Sequence, residues 1–312
     1  MRKSRRSKGS DQRVTAALLR RHPLPQPSSD DDKEERGRVL IVGGESELPG
    51  AVILAGVAAL RAGAGKLQIA ACRSVAPLIG VAVPESLAIG LEETRRGSIA
   101  PRSARGIRDE CRSADAILIG PGMRAGPGSE KFVREILRNV RCATVLDAAA
   151  LESLAADDNA LHRLKGNCVI TPHSGEMASL TGKPKEEIDA DPGATALAAA
   201  KKLRAVIALK GSETYIATPD GQLFRYDRGD AGLATSGSGD TLAGIIAGLL
   251  ARGADPLTAA LWGVSVHGSA GNALAKRVGR IGFLARELLE EIPALLNTPV
   301  RRASRPKILP TP

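Results

Sequence analysis

The sequence predicts an α/β fold of three layers, in which a mainly parallel central sheet is flanked by helices. Short apolar runs alternate with helical segments between residues 38 and 209, and this alternation is typical of strands that are buried on both faces of a parallel sheet. Glycine or proline follows most of the apolar runs, as expected where strands end. No apolar run reaches the roughly 18 residues of a membrane-spanning helix, so a membrane protein is not expected.

The first predicted unit is a strand, a loop and a helix. Arg38–Val42 is apolar, Gly43 and Gly44 end it, and the spacing of small and aliphatic residues in Gly50–Ala62 indicates a buried helix. Further buried strands are predicted at Lys66–Ala71, Ala116–Ile119, Ala143–Leu146, Cys168–Ile170 and Val206–Leu209. Helical segments separate them near residues 103–112, 129–139, 175–181 and 193–204.

After Lys210 the pattern changes from alternating units to a hairpin followed by helices. Thr214–Ala217 and Gln222–Tyr226 flank the turn Pro219-Asp220-Gly221, which predicts an antiparallel pair. The last third is predicted to be helical, at Gly239–Leu250, Pro256–Ala275 and Leu284–Ile292. We therefore expect one domain over residues 37–296, a polar and disordered N-terminal tail over 1–36, and a basic, proline-containing C-terminal tail over 297–312.

The formal net charge of +10 is concentrated at the two ends of the chain. Residues 1–21 carry +7 and residues 297–312 carry +4, which leaves the central body at −1. Only 2% of the residues are aromatic, so a base-stacking surface is not expected, and a nucleic-acid partner is not predicted. The four cysteines lack the paired spacing of a zinc site or a disulfide framework, and they favour a reducing cytoplasm.

Five loops are predicted to meet at one edge of the sheet. They contain Gly43, Gly120-Pro121-Gly122, Asp147, Thr171-Pro172-His173 and Lys210-Gly211, each directly after a strand. Ligands of open α/β sheets bind beyond the carboxyl ends of the strands. The alternative is that glycine and proline only mark strand ends, as they do in many folds.

The segment Thr-Ser-Gly-Ser-Gly-Asp, from Thr235 to Asp240, predicts an anion-binding site at the start of an apolar helix. Free amides of the first helical turn and the helix dipole favour a phosphate, and Gly237 and Gly239 permit its close approach. A carboxylate would repel that phosphate, so Asp240 suggests a general base for an attacking hydroxyl. The alternative for Asp240 is an ordinary helix cap. Walker and Rossmann glycine motifs are absent.

In these motifs the chain resembles the ADP-dependent NAD(P)H-hydrate dehydratases, a family with a ribokinase-like fold. The resemblance spans residues 37–296 in order, and this collinearity is more specific than any one motif. The matching stretches are Gly50-Ala51 with residues 60–65 (Leu-Arg-Ala-Gly-Ala-Gly), residues 120–123 (Gly-Pro-Gly-Met), 171–177 (Thr-Pro-His-Ser-Gly-Glu-Met), 210–214 (Lys-Gly-Ser-Glu-Thr), 229–240 and 267–271 (His-Gly-Ser-Ala-Gly).

The resemblance implies an enzyme that phosphorylates the C6 hydroxyl of the S-form hydrate with ADP and then eliminates phosphate to restore NADH or NADPH. It implies Asp240 as general base and Gly237 and Gly239 as part of the anion hole. It further implies Mg²⁺ bridging the ADP phosphates without a protein cage, a homo-oligomer, and a separate epimerase, since residues 1–36 are too short for an epimerase domain. The implied binding residues are Lys210, Gly211, Ser212, Glu213, Thr214 and Gly239 for ADP, and Ala51, Gly122, His173 and Asp240 for the hydrate.

Three features leave alternatives open at the sequence level. Ala149 stands where the family usually has a second acid, and Asp147 is interpreted as a structural cap of the helix near Ala149. Glu176 is interpreted as an ordinary acid of a first helical turn. An ATP-dependent kinase of the same fold, acting on a hydroxymethylpyrimidine or sugar hydroxyl, has nearly the same motifs, and a nucleotide-binding regulator without catalytic activity is the non-enzymatic alternative.

Overall fold

The computed structural model describes residues 11–26, 36–155 and 159–297. The strands are β1 Gln12–Arg13, β2 Arg38–Val42, β3 Lys66–Cys72, β4 Ser86–Leu91, β5 Ala116–Ile119, β6 Ala143–Leu146, β7 Cys168–Ile170, β8 Val206–Leu209, β9 Thr214–Ala217 and β10 Leu223–Tyr226. The helices are α1 Ala16–Arg21, α2 Pro49–Arg61, α3 Ala76–Ala82, α4 Arg108–Ser113, α5 Pro127–Asn139, α6 Glu152–Ala155, α7 Ser174–Thr181, α8 Lys185–Ala190, α9 Pro192–Leu203, α10 Ser238–Ala251, α11 Pro256–Arg277 and α12 Leu288–Asn297.

The strands form one sheet of ten strands in the order β1-β10-β9-β8-β7-β6-β5-β2-β3-β4. Pairing is parallel from β8 across to β4, whereas β9 is antiparallel to both β8 and β10. The chain builds the sheet outward from β2 in one direction and from β5 in the other. Right-handed connections therefore place the two sets of helices on opposite faces, and the crevice between β2 and β5 is the position where such sheets bind ligands.

The helices form the two outer layers that the sequence predicts. Helices α2, α10, α11 and α12 pack against one another, and α4 to α9 form a second series of neighbouring helices. The central strands are buried, as β2 illustrates with Val39 to Val42 at 0% exposure. The predicted three-layer α/β architecture is confirmed. Among the described residues, no helix is both long and apolar enough to span a membrane.

The predicted strands and helices of the central body are found within a few residues of their expected bounds. The segment near 103–112 is interrupted, with a 3-10 helix at Pro101–Arg105 and α4 beginning only at Arg108. Helix α3 and strand β4 are not predicted by the sequence, because they form the outer edge of the sheet. Their side chains lack the continuous burial of the central strands, and Leu78, Val81 and Leu87 are exposed.

The prediction of a disordered tail over residues 1–36 is wrong for residues 11–26. Strand β1 joins the sheet parallel to β10, and Leu18 and Leu19 of α1 are buried in the core. Two hydrogen bonds attach the following loop: Trp262 Nε1 donates to the carbonyl of His22 at 2.7 Å, and Arg252 Nη2 donates to that of Pro25 at 2.8 Å. The leucines of this otherwise polar segment therefore pack into the core and hold the segment against the domain. Residues 1–10, 27–35 and 298–312 lie outside the described part.

Candidate active site

Helix α10 begins with a turn in which the amide of Ser238 donates to the carbonyl of Thr235 at 3.2 Å, whereas the amides of Gly239 and Asp240 have no partner on another described residue. Gly237 is the N-cap with φ of +87°, and no side chain accepts a hydrogen bond from the first turn. This φ is in the left-handed region that favours glycine. A Cβ on Gly237 would also lie 2.5 Å from Leu54 Cδ1. The local sequence therefore gives a 14-residue helix whose N-terminus is available to an anion.

Lys210 connects the carboxylates of two other loops at the same edge of the sheet. Its Nζ donates to Asp147 Oδ1 at 2.9 Å and lies 3.8 Å from Glu176 Oε2. Thr171 Oγ1 donates to the same Asp147 oxygen at 2.7 Å. Asp147 is buried, and the side chain of Lys210 is 20% exposed. Parallel strands β6, β7 and β8 bring these residues together, because each residue directly follows or lies near the carboxyl end of its strand.

The electrostatics of this cluster raise the pKa of Asp240 to about 7. Burial is the main cause, the negative charge of Asp147 adds to it, and the positive charge of Lys210 opposes it. Burial alone would lower the pKa of Lys210, but Asp147 and Glu176 outweigh it and raise that pKa. Asp240 can therefore gain and lose a proton near neutral pH, as a general base requires, while Lys210 stays charged.

A cavity of about 770 Å³ opens beside this cluster. Its volume is in the range of small-molecule sites, roughly 300–1,000 Å³. The cavity is lined by five of the residues predicted to bind ADP: Lys210, Gly211, Ser212, Thr214 and Gly239. The side chain of Glu213 is directed elsewhere, since it accepts from Arg225 Nη1 at 2.7 Å and from the Tyr215 hydroxyl at 3.0 Å.

Ser238 and His267 form a polar pair on the wall of the cavity. Ser238 Oγ lies 2.9 Å from His267 Nε2, and both residues line the cavity. Burial lowers the pKa of His267 to about 4, and the charge of Lys210 acts in the same direction. The imidazole is therefore neutral at physiological pH and fixes the hydroxyl at the first position of α10. The sequence indicated this histidine only as part of the stretch from His267 to Gly271.

His173 is the N-cap of α7 and also lines the cavity. Its Nδ1 accepts from the amides of Gly175 at 3.0 Å and Glu176 at 3.2 Å, and Glu176 Oε2 accepts from the amide of His173 at 2.8 Å. Glu176 is therefore more than an ordinary first-turn acid, since it closes a capping box and also approaches Lys210.

Ala51 and Gly122 lie at the crevice between β2 and β5. Gly122 has φ of +65°, and a Cβ there would lie 2.3 Å from the carbonyl oxygen of Leu48 and 3.1 Å from Ala51 Cβ. The amide of Glu45 donates to the carbonyl of Gly122 at 2.9 Å. The two predicted substrate residues are thus close neighbours: Ala51 lies in the first turn of α2, after β2, and Gly122 lies on the loop after β5.

The structure brings His173, Lys210 and Gly239 around one cavity, with Asp240 next to Gly239 in the first turn of α10. The interpretation of Asp147 as a helix cap is wrong, because its side chain caps no amide and instead accepts from Thr171 and Lys210. Its position directly after β6, at the carboxyl edge of the sheet, was the signal for a site residue. Ala149 is partly buried and packs against the core.

Comparison with known proteins identifies the family of the chain. The family model described as NAD(P)H-hydrate dehydratase matches residues 39–294. The ADP-dependent (S)-NAD(P)H-hydrate dehydratase of Xanthomonas campestris is 51% identical over 288 residues, which cover 91% of this chain and 96% of that protein.

Two solved structures are also similar. The ADP/ATP-dependent NAD(P)H-hydrate dehydratase of Bacillus subtilis, co-crystallized with ATP/Mg²⁺, is 30% identical with a TM-score of 0.75, covering 92% of this chain and 98% of its own. A ribokinase-like superfamily protein of Enterococcus faecalis is 26% identical with a TM-score of 0.79, covering 95% and 98%. The ribokinase-like fold is confirmed, and the chain belongs to the NAD(P)H-hydrate dehydratase family.

Proposed function

We propose that this chain catalyses the ADP-dependent dehydration of the S form of NAD(P)H hydrate, and so restores NADH or NADPH with release of AMP and phosphate. The observation that carries the proposal is the position of Asp240, whose pKa is raised to about 7, in the uncapped first turn of α10. A base and an anion-binding site thus occupy the same helical turn.

The first step is a phosphoryl transfer from ADP to the C6 hydroxyl of the hydrate. The bond between the β-phosphorus and the oxygen bridging to the α-phosphate breaks, AMP leaves, and a new bond forms between phosphorus and the C6 oxygen. Asp240 accepts the hydroxyl proton. The amides of Gly239 and Asp240 and the charge of Lys210 would stabilise the negative charge on the transferring group.

The second step is elimination of phosphate. The C6–O bond breaks, phosphate departs with the bonding electrons, and loss of a proton from C5 restores the ring double bond. Phosphorylation is needed because hydroxide is a poor leaving group at neutral pH. The net reaction consumes ADP and the hydrate, and yields the reduced cofactor, AMP and phosphate.

We propose that ADP occupies the cavity of about 770 Å³. Gly211, Ser212 and Thr214 would contact the nucleotide along the loop after β8, and Lys210 and Gly239 would face its phosphates. The Cα of Gly239 is close to Lys210, since a Cβ on Gly239 would lie 3.4 Å from Lys210 Nζ. The hydrate would approach from the β2/β5 crevice, past Ala51 and Gly122 and alongside His173.

Magnesium is proposed as an ion held mainly by the phosphates of ADP. Over the described residues, no group of three or more His, Cys, Asp or Glu side chains is arranged to hold a metal. The described residues therefore do not form a site in which protein side chains supply most of the ligands. This arrangement fits an ion that keeps phosphate oxygens and waters as ligands, and Glu176, 19% exposed beside Lys210, would supply a protein oxygen. When bound, the ion would neutralise phosphate charge.

The cellular context is proposed from chemistry. All four cysteines are free thiols, and Cys72, Cys111 and Cys168 are buried, which suits a reducing cytoplasm. We propose that an epimerase acts in the same pathway and converts the R form to the S form, which also happens spontaneously. We also propose a homo-oligomer, as the resemblance implies.

The test is recovery of cofactor absorbance. The purified chain is incubated with the S hydrate of NADH or NADPH and with ADP or ATP, and absorbance at the reduced-nicotinamide band is followed. We expect recovery that depends on nucleotide, with AMP formed from ADP. Phosphorylation of a hydroxymethylpyrimidine or a sugar without any recovery of the reduced cofactor would instead support the kinase alternative.

A further inference from the structure

A second cavity, of about 430 Å³, lies between the loop at 94–98 and the start of α5. It shares no lining residue with the nucleotide cavity. Three arginines, Arg95, Arg96 and Arg124, line it together with the hydroxyl residues Ser98 and Ser129. We call it the arginine pocket. No carboxylate is among its lining residues.

The positive charge of the arginine pocket is only partly compensated by the chain. Arg124 forms an ion pair with Glu47. Arg95 and Arg96 are exposed, and neither is paired with a carboxylate in the described part of the chain. Ser98 donates its hydroxyl hydrogen to the buried acid Glu45 at 2.9 Å, so that hydroxyl is not available to an anion. The pocket therefore presents cationic groups together with the hydroxyls of Thr94 and Ser129, which suit an anion with several oxygens.

The loop that carries Arg95 and Arg96 is held by its own hydrogen bonds. The amide of Thr94 donates to the carbonyl of Ser98 at 2.8 Å, and Thr94 Oγ1 accepts from the amides of Arg96 and Ser98, both at 3.3 Å. Glu93 and Ile99 pair as an antiparallel bridge at its base. The two guanidinium groups thus project from a defined turn rather than from an irregular loop.

Backbone hydrogen bonds connect the loops of the arginine pocket to the crevice proposed to receive the hydrate. The amide of Ser46 donates to the carbonyl of Gly97 at 3.0 Å, and the amide of Glu45 donates to that of Gly122 at 2.9 Å. Arg124 is two residues beyond Gly122. The loops at 94–98, 45–48 and 120–124 therefore form one wall from the pocket to Gly122 and Ala51.

We propose that the arginine pocket binds a phosphate group of the hydrated dinucleotide, an inference that rests on the function proposed above. The hydrate carries phosphate oxygens at its pyrophosphate bridge and, in the NADPH form, at the ribose 2′ position. ADP occupies a different cavity, so the phosphates left to this pocket are those of the hydrate. Arginine suits them because its planar guanidinium donates two parallel hydrogen bonds to phosphate oxygens.

The experiment compares two double variants that remove the same charge. The pocket variant, Arg95→Ala with Arg96→Ala, removes two of the three arginines that line the pocket. The control variant, Arg105→Ala with Arg163→Ala, removes two exposed arginines that do not line it. KM and kcat are measured for the hydrates of NADH and NADPH at saturating ADP. Binding of unhydrated NADH and NADPH is measured separately from their fluorescence, which needs no turnover.

We expect the pocket variant to weaken binding and raise the KM of the hydrate by about tenfold or more, since hydrogen bonds to charged groups are the strong ones. Its kcat and the KM for ADP should match the control. An equal loss for both cofactors assigns the pyrophosphate, and a loss confined to NADPH assigns the 2′-phosphate. Equal values for the pocket and control variants would overturn the proposal. If wild type shows no turnover yet binding falls only in the pocket variant, the proposed function fails and the subsite stands.

Discussion

Helices α7 and α10 both start at the carboxyl edge of the sheet. The first amides of α7 are capped by side chains, whereas those of α10 are not. In α7, His173 and Glu176 form a capping box that occupies the amides of Gly175 and Glu176 and that of His173 itself. In α10, Gly237 offers no side chain and the first turn is uncapped. The two helices are 8 and 14 residues long.

The difference favours α10 over α7 as the helix that would bind a phosphate. A capped N-terminus has its hydrogen-bonding groups satisfied by the protein, so an added anion gains little from them. An uncapped N-terminus in a cavity has unused donors and the positive end of the helix dipole. We therefore propose that α10 contributes the anion site, whereas α7 contributes side chains held in fixed positions by its capping box.

The largest expected effect comes from replacing the acid in the uncapped turn. Asp240→Asn keeps the size of the side chain but cannot accept the hydroxyl proton, so kcat should fall by about 10²–10⁴-fold, the contribution typical of a general base. ADP binding should persist, because removing a negative charge beside the phosphates does not weaken it. Steady-state kinetics and calorimetric titration with ADP measure the two effects.

Asp189→Asn is the matched control. Asp189 is exposed on α8, so its substitution makes the same chemical change outside the site. Turnover by Asp240→Asn at the wild-type rate would remove Asp240 from the chemistry. Loss of ADP binding together with turnover would indicate a structural role for the carboxylate.

The next largest effect is on the pH dependence of activity. Substitutions of Asp147 and Lys210, the two charged residues that act on Asp240, should shift the pH profile in opposite directions. A base must be ionised, so kcat/KM should rise with pH through about 7, the value to which burial and Asp147 raise the pKa of Asp240. Asp147→Asn removes a repelling negative charge and should move this limb to lower pH by about one unit. Lys210→Met removes an attracting positive charge and should move it to higher pH.

The profiles are measured as kcat/KM for ADP, which reports groups of the free enzyme. The paired design separates electrostatics from general damage, since damage would lower both profiles without moving their limbs apart. Shifts of the same sign in both variants would contradict the proposed coupling of Asp240 to these residues.

The sequence predicts the free helix end better than it predicts the cluster around it. Glycines with an adjacent aspartate ahead of an apolar helix are a local signal, and this signal predicts Asp240 as a site residue. The contact between Asp147 and Lys210 joins residues 63 positions apart, and it depends on β6 and β8 both flanking β7. Strand order is a long-range property, so Asp147 was wrongly interpreted as a cap. The burial of residues 11–26 depends in the same way on contacts with distant α11.

The smallest expected effect tests the capped helix, and it distinguishes capping from substrate binding at one residue. His173→Ala removes the acceptor for two amides, and it should lower the free energy of unfolding by about 1 kcal/mol. His173→Asn restores a good capping side chain and should recover most of that stability. If the imidazole also contacts the hydrate, KM for the hydrate should rise in both variants. Thermal unfolding and KM therefore respond differently: a KM that recovers with stability in the asparagine variant would show that His173 acts on the substrate only through the position of α7.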